Sequence, residues 1–210
     1  MGGPLSGVDP IPRFGHRRRI RVGLLGGSFN PAHEGHRYVA EQAARKLRLD
    51  QVWLLVSPGN PLKPQAGMAP FRCRLKGARR IADGRRVVAS GIEAALRTRY
   101  TVDTMRLLTQ LFPRVRFVWI MGADILAELP RWRRWTDIAR RLPFAVLPRP
   151  NYNAQALAGQ AAHRLRAGRR RPREALLLPG AAPGWVFLPV RENPVSATAI
   201  RRAAAEGTVS

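Results

Sequence analysis

The sequence has 210 residues, of which 45% are hydrophobic, so it can bury the core of one globular domain. Its 37 lysines and arginines outnumber 13 acidic residues and give a formal charge of +24, which attracts phosphate groups without distinguishing a nucleotide from RNA or an anionic membrane. The single cysteine, Cys73, excludes an intramolecular disulfide and a multi-cysteine zinc site. No run of about 18 apolar residues predicts a membrane span, and residues 1–18 lack the apolar stretch of a secretory signal. We therefore expect a basic, flexible tail over 1–18, a folded domain over 19–210 and a cytoplasmic location.

Hydropathy predicts alternating strands and helices along the domain. Short continuous apolar runs that end at glycine or proline are typical of strands buried on both faces of a parallel sheet, whereas apolar residues at helical spacing predict amphipathic helices. In chain order, the predicted elements are a strand at 20–25, a helix at 36–47, a strand at 52–56, a loop at 57–61, a helix at 70–82, a strand at 87–89, a helix at 101–111, a strand at 115–121, helices at 124–129 and 132–142 separated by Pro130, a strand at 144–147, a helix running into a basic loop within 154–175, a strand at 185–190 and a helix at 196–205.

This alternation predicts the fold class. Strands and helices in turn, with short connections, favour a single α/β domain built on one open, doubly wound, mostly parallel sheet. Ligands of such sheets bind beyond the carboxyl ends of the strands. Three motif-bearing turns, at Gly26, Ser57 and Gly122, follow predicted strands, so we expect these turns to meet at one site.

A pair of histidines follows the first glycine turn. Gly26 and Gly27 let the backbone approach a phosphate chain, and the start of the next helix offers N–H groups and a positive dipole end. His33 and His36 are three residues apart, so both can face that phosphate. A lone loop histidine is more often structural, and metal ligation is disfavoured because the two other histidines lie in the tail and in the basic segment. The pattern is neither a GxGxxG fingerprint nor a P-loop.

The segment GGSFNPAHEGH, residues 26–36, resembles the GGxFDPxHxGH box of the nucleotidyltransferase superfamily. That superfamily includes nicotinate mononucleotide adenylyltransferase, pantetheine-phosphate adenylyltransferase and the cytidylyltransferases. The resemblance implies a Rossmann-like nucleotidyltransferase fold, ATP phosphate contacts and catalytic roles for His33 and His36, and an ATP site formed by Gly26, Gly27, Ser28 and Phe29. Asn30 stands where the family usually has Asp, and we interpret it as a turn and mononucleotide-contact residue that is not a base.

A second motif lies near the other end of the sequence. VSATAIR, residues 195–201, resembles the ISxTxIR signature of the same superfamily. Ser196 is also an ordinary helix N-cap, and both roles are compatible because a capped helix start is itself an anion site. The resemblance implies that Ser196, Thr198 and Arg201 bind ATP. It also implies a catalytic role for Arg201, as for Lys63 below, because Arg201 brings a permanent cation to the triphosphate.

The segments between the two boxes resemble nicotinate mononucleotide adenylyltransferases in particular. They are SPGNPLK at 57–63, YTVDTM at 100–105, MGAD at 121–124 with PRW at 130–132, and RPNY at 149–152. The resemblance implies that Lys63 acts on phosphate, Thr101 holds the pyridine carboxyl group, and Trp132 stacks on the nicotinate ring, whereas Trp135 suits packing. The predicted mononucleotide-binding residues are Asn30, Lys63, Thr101, Gly122, Asp124 (to a ribose hydroxyl), Trp132 and Arg149 (to the product phosphates).

The implied reaction is the attack of the mononucleotide 5′-phosphate on the α-phosphate of ATP, which gives deamido-NAD and pyrophosphate, a step of NAD biosynthesis. A phosphate monoester has its second pKa at about 6, so no general base is required. The sequence has no acidic cluster, so we expect Mg²⁺ to arrive bound to ATP. We predict no metal ligand on the protein itself. A nicotinate acceptor is favoured over nicotinamide because its carboxylate suits the positive protein.

Two other functions would account for part of the sequence. A phosphopantetheine adenylyltransferase shares the end motifs, but that family is shorter and lacks the segment from Asp124 to Trp132. A basic RNA-binding protein would explain the charge but would leave both boxes unexplained. The expected partners are therefore ATP and the mononucleotide, with nucleic acid and membrane disfavoured and a homo-oligomer left open.

Overall fold

The computed structural model describes residues 19–59, 67–193, 195, 197, 198, 200 and 201. The strands in this part of the chain are β1 (Arg21–Gly27), β2 (Gln51–Val56), β3 (Val87–Ser90), β4 (Arg116–Gly122), β5 (Phe144–Leu147), β6 (Arg169–Arg170) and β7 (Trp185–Phe187). The α-helices are α1 (Glu34–Lys46), α2 (Phe71–Ile81), α3 (Ile92–Ala95), α4 (Thr101–Leu111), α5 (Ala123–Glu128), α6 (Trp135–Arg141), α7 (Asn153–Ala158) and α8 (Gln160–Arg164). The described residues 197, 198, 200 and 201 are also helical.

The strands form one sheet in the order β3-β2-β1-β4-β5-β7-β6, and every pairing is parallel. β1 lies in the middle, with Leu24 opposite Trp53 on β2 and Trp119 on β4. From β1 the chain adds β2 and β3 on one side, then returns and adds β4 and the later strands on the other side, so the strand order reverses between β1 and β4. Ligands of doubly wound sheets bind at this switch point, beyond the carboxyl ends of the strands.

Side chains alternate between two buried layers because successive strand residues point to opposite faces. One layer contains Leu24, Trp53 and Trp119 together with residues of α4, α5 and α6. The opposite layer contains Leu25, Leu54 and Ile120 beneath α1 and α2. Burial on both faces explains why the strands appear as continuous apolar runs in the sequence.

The predicted α/β class and doubly wound parallel sheet are confirmed. The helix expected over 132–142 begins only at Trp135, because Pro130 lies in a 3₁₀ turn (Leu129–Arg131) and Arg134 adopts a left-handed backbone with φ of 51°. The strand expected over 185–190 ends at Phe187. The short elements α3 and β6 were not predicted, since four and two residues show no periodicity.

Residues 1–18 lie outside the described part of the chain, so the tail and its boundary stay predictions. Among the helices that the structure describes, none is long and apolar enough to cross a lipid bilayer.

Candidate active site

A cavity of about 450 Å³ opens at the carboxyl ends of β1, β2 and β4. Its floor is the strand ends, and its walls come from the start of α4 and from the segment between α5 and α6. Among the residues predicted to bind substrates, six line it, and they are Gly26, Gly27, Ser28, Thr101, Gly122 and Trp132. The predicted turns at Gly26, Ser57 and Gly122 therefore meet at the switch point of the sheet, although the first and the last are 96 positions apart in sequence.

Trp132 forms one wall of this cavity. Its ring packs on Trp119 with centroids 5.6 Å apart, which fixes the ring plane, and its Nε1–H is buried without a partner among the described residues. A buried N–H that lacks an acceptor is costly unless a ligand or water supplies one. Trp135 instead begins α6 and packs against the core, as its spacing indicated.

The amino end of α4 faces the same cavity. Tyr100 is the N-cap and Thr101 the first helical residue, and both line the cavity. The start of this 11-residue helix carries a partial positive charge and backbone N–H groups. It therefore suits a carboxylate on the ligand.

Three exposed arginines, Arg99, Arg131 and Arg133, complete the cavity wall, and we call them the arginine rim. The Arg133 guanidinium lies 4.5 Å from the centroid of the Tyr100 ring, and that of Arg99 lies 5.9 Å from it. Stacking on an aromatic face orients these cations beside the opening. Sequence reasoning missed the rim because arginine is common throughout this chain.

Glu93 on α3 is a half-buried acid in the cavity wall that the sequence motifs did not indicate. Burial raises its pKa to about 7, although hydrogen bonds from Thr104 and Ser57 to the carboxylate act in the opposite direction. The Thr104 hydroxyl donates to Glu93 Oε1 at 3.4 Å. Near neutral pH the cavity therefore contains a carboxyl group that is charged in only part of the molecules.

The two histidines lie together at the amino end of α1. His33 is the N-cap, its main-chain N–H donates to His36 Nδ1 at 3.3 Å, and the two rings are 3.8 Å apart. The ring of Phe29 lies 4.7 Å from that of His36. Because Nδ1 of the neutral His36 ring is an acceptor, the ring proton is on Nε2, which is then the donor available to a phosphate.

Both imidazoles are neutral in the free protein. Burial, and secondarily the charge of Arg149, lowers the pKa of His33 to about 4. Burial, the neighbouring His33 and Arg149 lower the pKa of His36 to about 3. The His33 ring is 7% exposed, and its Nδ1 has no partner among the described residues.

Gly35 is the close-approach position of this helix start. A Cβ atom there would lie 2.8 Å from His33 Nδ1 and 3.2 Å from the Val195 carbonyl oxygen, closer than side chains pack. The glycine in the sequence motif therefore lets the His33 ring and the segment at 195 lie against α1.

Asn30 joins three segments near the turn after β1. Its Nδ2 donates to the Gly67 carbonyl at 3.2 Å, and its Oδ1 accepts from the Ala69 N–H at 3.2 Å. Its own carbonyl accepts from Arg201, and Arg201 also donates to Thr198 Oγ1 at 3.2 Å. The second box thus meets the first, as the resemblance implied, while the Asn30 side chain contacts protein backbone.

Asp124 and Arg149 form an ion pair near the two histidines. Arg149 Nε lies 4.0 Å from Asp124 Oδ2, and its charge acts on His33 and His36. The cavity lining does not include these four residues, nor Phe29, Asn30, Thr198 or Arg201. The predicted site residues therefore form two adjoining regions that share the turn after β1.

Two predicted residues, Lys63 and Ser196, lie outside the described residues. Within the described ranges, no three His, Cys, Asp or Glu side chains are grouped so that they could hold a metal ion. Cys73 is exposed with a free thiol.

The chain is similar to known proteins in both sequence and fold. The cytidylyltransferase-like family model matches residues 24–203. A probable nicotinate-nucleotide adenylyltransferase of Gluconobacter oxydans is 59% identical over 183 residues, which cover 87% of this chain and 94% of the relative. One from Gluconacetobacter diazotrophicus is 55% identical and covers 94% of this chain and 92% of its own length. The structure of Plasmodium falciparum nicotinic acid mononucleotide adenylyltransferase complexed with NaAD aligns over 87% of this chain and 83% of its own, with a TM-score of 0.63 at 14% identity, and so shares the fold.

The chain therefore belongs to the cytidylyltransferase-like family of nucleotidyltransferases. Within it, the identity to named relatives confirms the resemblance to the nicotinate-nucleotide adenylyltransferases.

Proposed function

We propose that this chain is an ATP-dependent nicotinate-nucleotide adenylyltransferase that converts nicotinate mononucleotide and ATP into deamido-NAD and pyrophosphate. The observation that carries the proposal is the shared turn after β1, which borders an aromatic-walled cavity on one side and a histidine pair at a helix start on the other. ATP phosphates would lie at the helix start and the pyridine ring in the cavity. The family relationship points to the same pair of substrates.

The reaction needs alignment and charge neutralisation more than proton transfer. The acceptor phosphate is already ionised near neutral pH, and in-line attack on the α-phosphate brings two anions together. We assign His33, His36 and Arg201 to the phosphates, with the His36 Nε2–H and the Arg201 cation as donors. Gly26, Gly27, Ser28 and Phe29 would contact ATP, as would Thr198. Lys63 and Ser196 remain assigned from the resemblance alone.

The acceptor is proposed to bind in the cavity through four kinds of contact. The nicotinate ring would stack on Trp132, its carboxylate would face the start of α4 at Thr101, and Asp124 would meet a ribose hydroxyl. The arginine rim adds positive charge on the carboxylate side, which favours nicotinate over nicotinamide. Gly122 leaves room beside Asp124, and Arg149 would contact the product phosphates.

Mg²⁺ is proposed to arrive with ATP. The Asp124 carboxylate is already beside Arg149, and the described residues offer no carboxylate cluster for a protein-held ion. The bound ion would neutralise charge on the triphosphate. We place the reaction in the cytoplasm and propose no nucleic-acid role, because the arginines are spread along the chain and the densest basic runs lack interleaved aromatic residues.

A substrate panel tests the proposal. Purified protein with Mg²⁺-ATP is incubated with nicotinate mononucleotide, nicotinamide mononucleotide or phosphopantetheine, and pyrophosphate release is measured. We expect the highest kcat/KM with nicotinate mononucleotide. Equal or better turnover of another acceptor, or tight RNA binding without any turnover, would refute the proposal.

A further inference from the structure

Arg74 is a buried arginine on the first turn of α2, outside every motif described above. The residue is 4% exposed, although α2 carries other arginines that are exposed. Burying a guanidinium is costly unless its donors are all supplied with acceptors. The position therefore requires a specific set of partners.

To the residues that the structure describes, the Arg74 side chain donates four hydrogen bonds, and each goes to a main-chain carbonyl. Nη1 donates to Ser28 at 2.6 Å and to Ser57 at 2.7 Å, Nη2 donates to Pro58 at 3.1 Å, and Nε donates to Ala69 at 2.9 Å. No carboxylate is among these four partners. Burial lowers the pKa of this guanidinium, but arginine stays charged at any physiological pH. The four carbonyl oxygens therefore stabilise its positive charge.

These carbonyls belong to the two loops that form the site. Ser28 is in the turn after β1, directly before Phe29 and the histidine box, and Ser57 follows β2 and lines the cavity. Ala69 leads into α2 and is tied to Asn30 through its N–H. One planar side chain thus joins the ends of two neighbouring strands and the segment before α2.

We propose that Arg74 is a positioning residue for adenylyl transfer, which holds the turn after β1 and the loop after β2 at the separation that ATP and the acceptor require. Three of its bonds end on these two loops. A main-chain hydrogen bond from the Ser57 N–H to the Gly27 carbonyl, at 3.0 Å, also joins them. A fork of several donors in one plane is specific to arginine, and lysine offers a single point charge. The inference rests on the proposed function for its activity readout.

The test compares Arg74→Lys and Arg74→Ala with Arg80→Ala, a matched removal of an exposed arginine from the same helix. Because a hydrogen bond to a charged group contributes on the order of a tenfold effect, we expect kcat/KM to fall by at least about tenfold in folded Arg74→Lys. Arg80→Ala should keep the wild-type value. Millimolar guanidinium should restore activity to Arg74→Ala, whereas methylammonium, which lacks the planar fork, should not.

The positioning role also has a readout that needs no turnover. Hydrogen exchange of the main-chain amides at residues 27–29, 57 and 59 should be faster in Arg74→Lys than in the wild type and in Arg80→Ala. Wild-type exchange and wild-type kcat/KM in folded Arg74→Lys would overturn the inference, as would activity that is lost only in proportion to the folded fraction. Wild-type protein that turns over no mononucleotide would instead refute the proposed function, and the exchange result would still decide the role of Arg74.

Discussion

The contacts around His33 restrict the residue that position 35 can hold. We predict that Gly35→Ala lowers kcat/KM by at least about tenfold, because the new methyl group displaces the His33 ring, which we propose contacts the phosphates. Gly77→Ala is the matched control, since a Cβ at 77 would meet only Ala32 at an ordinary 3.8 Å. That variant should keep its activity and gain about 0.5 to 1 kcal/mol of stability. Steady-state kinetics with thermal unfolding check both variants, and full activity in Gly35→Ala would contradict the prediction.

The amide of Asn30 both donates and accepts, which a carboxylate cannot do. We predict that Asn30→Asp, although it restores the residue that the family usually has, loses about 1 kcal/mol of stability because the Gly67 carbonyl loses its donor. Below about pH 4 the new carboxyl is protonated and can donate again. The difference in unfolding free energy between wild type and variant should therefore shrink in acid. A variant that is as stable as wild type at pH 7 would show that this bond contributes nothing.

At the scale of elements, the arginine rim combines the start of α4 with the segment between α5 and α6. We predict that Arg133→Gln lowers kcat/KM for nicotinate mononucleotide about fivefold and leaves nicotinamide mononucleotide nearly unchanged, since an exposed cation contributes about 1 kcal/mol to an anionic partner. Arg134→Gln is the control, because Arg134 pairs with Asp137 at 2.7 Å and does not line the cavity. An unchanged ratio of the two kcat/KM values in Arg133→Gln would exclude a role for the rim in selection.

Elements differ in how well the sequence predicts them. The continuous apolar runs gave β1, β2, β4 and β5 within one or two residues, since burial on both faces leaves a strong signal. The turns at Gly26, Ser57 and Gly122 were placed at strand ends because each of them directly follows such a run. The contacts of Arg74 and the wall position of Glu93 could not be predicted, because they depend on loops that meet only through the folded sheet, 46 positions apart for Arg74 and Ser28.

At the scale of the whole molecule, Glu93 and the two histidines give the free energy of unfolding opposite dependences on pH. Glu93 has a folded pKa of about 7, above its ordinary 4.5, so its contribution is complete below pH 4.5 and is lost as pH rises to about 7. His33 and His36 have folded pKa values of about 4 and 3, below the ordinary 6.5. Their contribution is present above pH 6.5 and is lost as pH falls toward 3 to 4.

We therefore predict that Glu93→Gln removes a decline in stability that the wild type undergoes between pH 4.5 and 7. One pKa unit corresponds to about 1.4 kcal/mol, so the relative gain of the variant from pH 4 to pH 8 should be on the order of 3 kcal/mol. Urea unfolding of both proteins across this range measures it. Parallel stability curves would mean that the Glu93 carboxyl is not desolvated in the folded protein.

The bond from Arg201 to the Asn30 carbonyl spans 171 positions, and that from Tyr38 to the Arg191 carbonyl spans 153. During translation, the glycine turn and both histidines emerge from the ribosome early. Arg201, whose side chain contacts the turn after β1, is added only near the end of synthesis. During this interval the growing chain contains the residues of β1, β2, α1 and α2, but it lacks the arginine that contacts the turn after β1. The proposed phosphate site can thus be completed only after Arg201 has been added, and a chain stalled before residue 201 would carry the glycine and histidine motif without that contact.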